Sequence, residues 1–211
     1  MRAGNGGGCT LELAVECKNL RPGHPLLLSA VPRTAAEAFH EIIVHEPRGP
    51  MIPTPVVRSI GGTLYKLGEM VAKKTDQVGR DAQSGALVGG DSATFEKLNQ
   101  AVNSCKDLVW KCVTTPPTKP LPYFEAVVPV LVVPADLLWQ VDYSEDGAVS
   151  TPPRKMTRSS LFLNHSWSAT HGLVGEIRYR LSHLEIITLD ALRGALDSWL
   201  GPSGFFVNCG L

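Results

Sequence analysis

A chain of 211 residues with 44% hydrophobic and 19% charged residues has the material for a sizeable apolar core, which excludes a wholly disordered polypeptide. Twenty basic side chains balance twenty acidic ones, so the formal net charge is zero. Bulk attraction to nucleic acid or to an anionic membrane is thereby excluded, and any such binding has to come from local patches.

Residues 1–9 are glycine-rich and read as a flexible leader. From about residue 10 to 18, Leu11, Leu13, Val15 and Cys17 alternate with Glu12, Ala14, Glu16 and Lys18. That period of two defines a strand, with Cys17 on the core side. After the break at NLRPGHP, LLLSAV reads as a second short strand. Thr34 and Glu37 have the spacing of a capping box, and Ala38, Phe39, Ile42 and Ile43 supply the stripe of a helix. The four prolines of EPRGPMIPTP then predict a loop.

A longer helix is predicted from about Ile60 to Val78 on Leu64, Leu67, Val71 and Val78, with Gly61-Gly62 weakening its start. The link RDAQSGALVGGD reads as a loop. Asp91-Ser92 is good N-cap chemistry for another helix, running to about Val113 through Phe95, Leu98, Val102, Cys105 and Val109. TTPPTKPLP closes this helical part. AVVPVLVV is short and β-branched enough for a buried strand, although it contains Pro129, and LLWQVDY alternates as another strand with SEDG as a turn. Residues 150–160 and NHSWSATHG read as polar loops. HLEIITL reads as a last strand and DALRGALDSWL as a closing helix, with Asp190 near its N-terminus. No internal repeat or domain boundary interrupts this order, which predicts one α/β domain with strands at both ends and helices mainly between them.

The five cysteines form no CxxC pair. Cys105 and Cys112 lie on the same helical pattern, where both can face the core, so buried free thiols in a reducing compartment are expected. No apolar run reaches the roughly 18 residues needed to span a bilayer. MRAGNGGGC lacks the apolar stretch of a signal peptide. The expectation is a soluble cytoplasmic protein with no membrane partner.

The first strand carries the chemistry. An acid, any residue and a lysine place a carboxylate and an ammonium side by side, because side chains two apart share a strand face. Glu16 is then a candidate ligand for Mg²⁺, which takes oxygen donors. Such an ion lowers the pKa of a bound water and neutralises phosphate charge, while Lys18 would orient the water or stabilise charge at phosphorus. The triplet alone occurs about once by chance in a chain of this composition. Its position on an alternating strand, followed by a polar loop and a helical pattern, is what singles it out.

In that setting LELAVECKN resembles the central strand of the PD-(D/E)xK, or restriction-endonuclease-like, nuclease superfamily, with ECKN matching (D/E)xK. The resemblance covers this one strand and the coarse order of elements. It implies an α/β fold with a central mixed β-sheet flanked by helices, and a single nuclease-like domain over residues 10–211. The implied activity is that of a Mg²⁺-dependent endonuclease hydrolysing phosphodiester bonds in DNA, or in RNA. Glu16 would be a catalytic residue and metal ligand, the Cys17 carbonyl would assist the metal, and Lys18 would be the catalytic lysine. The family also places an acidic residue, usually Asp, on the strand that pairs before this one, and no Asp precedes the motif here. Glu12 shares the face of Glu16 but lies about 13 Å along the strand. The resemblance therefore implies either a chain lacking its first helix and strand or a degenerate site. A degenerate site would leave a catalytically inactive nuclease-like module for binding or interaction.

Other motifs carry less. The histidines of His40-Glu-Ile-Ile-Val-His45 miss the HExxH zinc spacing by one position and would sit about 140° apart on a helix, so surface or internally satisfied histidines are expected. His165, Ser166, Ser168 and His171 have no GxSxG elbow and no acid partner. GNGGG has no strand before it. Two basic patches remain: Arg58, Lys66, Lys73, Lys74 and Arg80 against Glu69 and Asp76, and then Arg154, Lys155 and Arg158. Lys73, Lys74, Arg80, Arg154 and Lys155 are the candidate phosphate contacts for a nucleic-acid partner, with an ordinary solvated face as the plainer alternative.

Overall fold

The structure is a computed structural model and describes residues 8–48, 52–62, 64–80, 87–89, 92–115, 118, 121–172, 174–201 and 204–205. Its elements in chain order are β1 (Gly8–Cys17), β2 (Leu26–Pro32), β3 (Phe39–Arg48), β4 (Ile52–Gly61), β5 (Met70–Arg80) and β6 (Leu87–Gly89). There follow α1 (Ser92–Thr114), β7 (Tyr123–Val133), β8 (Leu138–Tyr143), β9 (Val149–Lys155), β10 (Arg158–His171), β11 (Gly175–Thr188) and α2 (Leu192–Leu200). The strands form a large mixed sheet in the order β4-β3-β7-β11-β10-β5-β2-β8-β9, with β1 paired to β7 and β6 paired to β5. The class is α/β, with a central mixed sheet and a helix on each face, but strands far outnumber helices.

β7 is the axis of the fold. Its YFEAVVPVLVV run lies parallel to β1 along Gly8–Cys17, antiparallel to β3 at Tyr123–Glu125, and parallel to β11 at Val130–Val133. The Lys18 amide donates to the Val132 carbonyl at 2.9 Å, so even-numbered residues of β7 turn their backbone groups to β1 and odd-numbered ones turn away. The N–H that Pro129 lacks therefore falls in the gap between the β3 and β11 pairings, which explains a proline inside a buried strand.

The two faces of β7 bury different helices. Ala126, Val128, Val130 and Val132 pack with Ala195 and Trp199 of α2. Val127, on the opposite face, packs with Ala14 of β1 under Val102, Cys105, Val109, Cys112 and Val113 of α1. That stripe has the three-to-four spacing of an amphipathic helix, as the sequence predicts. Lys111 in the last turn suits the negative end of the helix dipole. Burial pushes both the Cys105 and the Cys112 thiol up to about 12, so these two act as core hydrophobes. Among the described residues no helix is long and apolar enough to cross a membrane.

Several predicted elements take another form. Thr34 and Glu37 do make the capping contact, with the Thr34 amide donating to Glu37 Oε2 at 3.0 Å, but it heads a turn that leads into β3. Ile42, Ile43 and Val44 are buried on both sides of that strand, so a helical stripe fits the same letters. The proline-rich stretch expected to be a loop supplies β4. This strand ends the pairing order, and there Pro53 and Pro55 pair with Pro47 and His45 while their missing donors break no second ladder. The helix predicted from Ile60 to Val78 is a turn followed by β5. Gly68 takes φ +79°, and Leu67, counted in the helical stripe, is 66% exposed. RDAQSGALVGGD contains the short β6, and the two polar loops predicted near 150–171 are β9 and β10, which pairs with β11. Gly8 and Cys9, assigned to the leader, begin β1. Residues 1–7 and Cys209 lie outside the described residues.

Candidate functional site

The acid and lysine of the first strand stand at the end of β1, on the face covered by α1. Glu16 is half-buried and lies 3.8 Å from Lys97 Nζ of α1, while Lys18 is 7% exposed. At the other end of the helix Cys112 feels the charges of Glu125 and Glu12, so α1 runs antiparallel to β1 and covers the whole charged face. This is a lidded face, unlike a solvated strand. Cys17 corrects the sequence reading in another way: its side chain is exposed, because the apolar face of β1 is buried at Leu11 and Leu13 but runs past the core at Val15 and Cys17.

A Mg²⁺ ion needs several oxygen ligands in one place. Among the described residues no group of three or more His, Cys, Asp or Glu side chains is placed to hold a metal. Glu12 is separated from Glu16 by about 13 Å of extended chain. The described residues therefore do not by themselves fit the ion that the motif implies.

The candidate phosphate contacts are dispersed and mostly neutralised. Lys73 pairs with Glu37 and lies 4.6 Å from the centre of the Phe162 ring. Lys74, its neighbour in β5, pairs with Asp76 at 3.0 Å, and Lys155 pairs with Asp136 at 2.8 Å. Arg80 ends β5, and its side chain lies outside the described ones. In the pairing order β7, β11 and β10 separate β1 from β5, so Lys73 and Lys74 are not neighbours of Glu16 within the sheet. Arg154 alone of these residues reaches a cavity.

That cavity, of about 460 Å³, is the one prominent concave site among the described residues in which buried charges converge. Six strands adjacent in the sheet, β11, β10, β5, β2, β8 and β9, bring to it Glu185, Ser160, Met70, Arg33 (just after β2), Gln140 and Arg154. Segment 64–70 and the end of α2 complete the wall. Ser160 and Glu185 are cross-strand partners, and Arg158, two residues before Ser160, shares its face, which brings the guanidinium diagonally onto the carboxylate. Arg158 Nε donates to Glu185 Oε2 at 2.8 Å, and the Tyr65 hydroxyl donates to Oε1 at 3.0 Å. Glu185 is 2% exposed and has both oxygens engaged.

The arginines are held from several directions. Arg33, 3% exposed, donates to Ser160 Oγ at 2.9 Å and to the Lys66 carbonyl at 3.1 Å, and it lies 5.1 Å from the centre of the Tyr65 ring. Its Nε is buried with no hydrogen-bond partner. Arg158 lies 4.9 Å from the centre of the Trp199 ring, and Arg154 donates to the buried Asp142 at 2.6 Å. Burial lowers the Arg33 pKa from its usual value. At Arg158 burial opposes the charge, but Glu185 more than offsets it and the net shift is upward.

Behind Tyr65 lies His183, its ring stacked at 3.7 Å and its Nε2 buried without a partner. Burial first, then the charges of Arg33 and Lys73, hold His183 neutral by pulling its pKa down to about 2. His40 is likewise buried and pulled down to about 4, while His45 bonds Glu125 through Nε2 at 2.7 Å and leaves its buried Nδ1 without a partner among the described residues. Both histidines of the near-zinc motif thus belong to the interior of a strand.

Arg154, Arg158 and Lys66 were within reach of the sequence as members of basic patches. Arg33, Tyr65, Glu185 and Trp199 were not singled out. One signal existed: an acidic residue inside the apolar run HLEIITL must find a buried partner. Comparison with known proteins finds no matching family model, no matching curated protein and no matching solved structure.

Proposed function

We propose that the protein is a binding module for an anionic ligand, carried on a nuclease-like α/β scaffold without a complete metal centre of its own. The observation that carries the reading is the cavity in which three arginines from different strands converge beside carboxylates that are already engaged. A surplus of preorganised donors in a concave site is the usual arrangement for holding an anion. The test is thermal unfolding of the whole protein with a panel of small anions. A ligand that binds only the folded state at one hundred times its Kd stabilises by about 2.7 kcal/mol, a rise of roughly 5–10 °C for a chain of this size. Unfolding temperatures that ignore every anion, at concentrations where neutral salts of equal ionic strength serve as controls, refute the reading.

A second reading, the Mg²⁺-dependent endonuclease, is favoured by one observation. β1 and β7 are parallel with α1 between them in sequence, Glu16 and Lys18 share a face, and β1 pairs only with β7 among the described strands. The acidic strand that the resemblance calls for would pair along that other edge. Cleavage of single- or double-stranded DNA that requires Mg²⁺ and disappears in Glu16→Gln would establish it. Cleavage that is absent, or unchanged in the variant, removes it.

A further inference from the structure

We infer that the anion held in the cavity is a phosphomonoester on a compact polar body, of the sugar phosphate class. This rests on the anion-binding reading above and adds the chemistry of the ligand. The first argument is donor supply. Arg158 spends Nε on Glu185 and has no partner for its terminal guanidinium nitrogens among the described residues, and Arg154 spends one terminal nitrogen on Asp142. Arg33 is 3% exposed and its terminal nitrogens are spent on Lys66, Glu69 and Ser160, so it contributes positive charge to the wall. These donors come from separate elements and approach from different directions. A tetrahedral group with three terminal oxygens can use such a set, whereas a planar carboxylate offers two oxygens to one side.

The second argument is charge. Four basic side chains line the cavity against two acidic ones, an excess of two positive charges. Glu185 has both oxygens occupied, Glu69 is paired with Arg33 at 3.4 Å, and Asp142 behind the wall pairs with Arg154 at 2.6 Å, which leaves a net positive wall that favours an anion. A phosphomonoester carries about −1.5 to −2 at neutral pH, with its second ionisation near pH 6.

The third argument is shape. At about 460 Å³ the cavity is far larger than a phosphate group alone requires, and it lies in the range of small-molecule sites. The aromatic rings in its wall are already used, Phe205 being 2% exposed with His40 packed edge-on to it. Tyr65 has His183 stacked on it and Arg33 over its ring, and Trp199 is 4% exposed with Arg158 over it. Neither presents an open face on which a nucleobase could stack. Ser198 offers a hydroxyl to a sugar, and Ser159, whose own proton goes to Gln140 at 2.6 Å, keeps acceptor capacity for one.

The experiment is calorimetric titration of the full chain with ribose 5-phosphate, a sugar sulfate, malonate, AMP and a 5′-phosphorylated oligonucleotide. Ribose 5-phosphate is expected to bind most tightly, and to gain roughly tenfold in affinity between pH 5 and pH 7 as it becomes a dianion, while the sulfate shows no such gain. Arg158→Gln is expected to weaken it by roughly tenfold or more, with circular dichroism confirming the fold. The pH profile uses the unaltered protein and stands even where that variant does not fold. Tighter binding of the sulfate or malonate overturns the phosphomonoester, and tighter binding of AMP or the oligonucleotide overturns the compact body. Both outcomes leave the anion-binding reading intact. No heat with any of the five overturns the two together.

Discussion

The face of β1 beneath α1 and the cavity beside α2 bury charge against the same sheet, and they resolve it differently. At β1, Glu16 finds Lys97 of α1, and neither residue lines the cavity beside α2. At the cavity, Glu185 accepts from Arg158 and Tyr65, yet the partly exposed Arg158 has terminal nitrogens with no partner among the described residues, beside a space that a small molecule can fill. A line of charged letters on a strand therefore says little about a site. What distinguishes the second region is a mismatch between the donors built in and the partners the protein supplies, together with volume beside it.

The largest test of this contrast is Trp199→Ala. Trp199 is 4% exposed and joins the α2 side of the core to the cavity wall, so its loss is expected to cost about 3–5 kcal/mol by chemical denaturation and to weaken anion binding as well. Retained anion affinity would separate the ring from the site. Glu185→Leu comes next, at about 3 kcal/mol, because it removes the acceptor of Tyr65 and leaves Arg158 unpaired in a partly buried position. A loss under about 0.5 kcal/mol would mean that solvent already screens this ion pair.

The acid limb of stability sharpens the same region. The folded protein holds His183 neutral down to about pH 2 against an ordinary value of 6.5. Its contribution is thus fully present above pH 6.5 and is lost as the pH falls from there toward the folded value, while the unfolded chain takes up the proton. Denaturation at several pH values should show His183→Phe reducing the slope below pH 6 by up to about 1.4 kcal/mol per pH unit. An unchanged slope would place the acid sensitivity elsewhere, with His40 the next candidate. The smallest effect is expected at β1: Glu16→Gln should change stability by at most about 0.5 kcal/mol, since its ion pair is long and partly exposed, and should leave anion binding alone. A loss of anion affinity in that variant would break the comparison by joining the two regions.

Much of the fold was legible where local pattern and tertiary demand agree. β1, β2, α1, β7, β8 and α2 lie close to where periodicity and turn residues put them, and β11 is legible in its second half, the apolar run from His183 to Thr188. The failures share one cause. β3 is buried on both faces and β5 carries few apolar residues beyond Val71 and Ala72, so neither shows a clean period of two. β9 and most of β10 lie toward the surface, and their polar letters read as loop until a neighbouring strand supplies the ladder. Of the cavity, the bases Arg154 and Arg158 were visible as a cluster, but their acids, Asp142 and Glu185, sit in other strands.

By itself, then, the amino-acid order determined a mixed α/β protein with a long amphipathic helix and an alternating strand that carries an acid and a lysine, because hydrophobic period and backbone chemistry act over a few residues. Only the tertiary structure decided which charges meet. Arg33, Tyr65, Arg158 and Glu185 lie far apart along the chain, and sheet pairing and the packing of α2 bring them together. Burial then makes those few contacts strong and leaves the remaining donors turned toward the cavity.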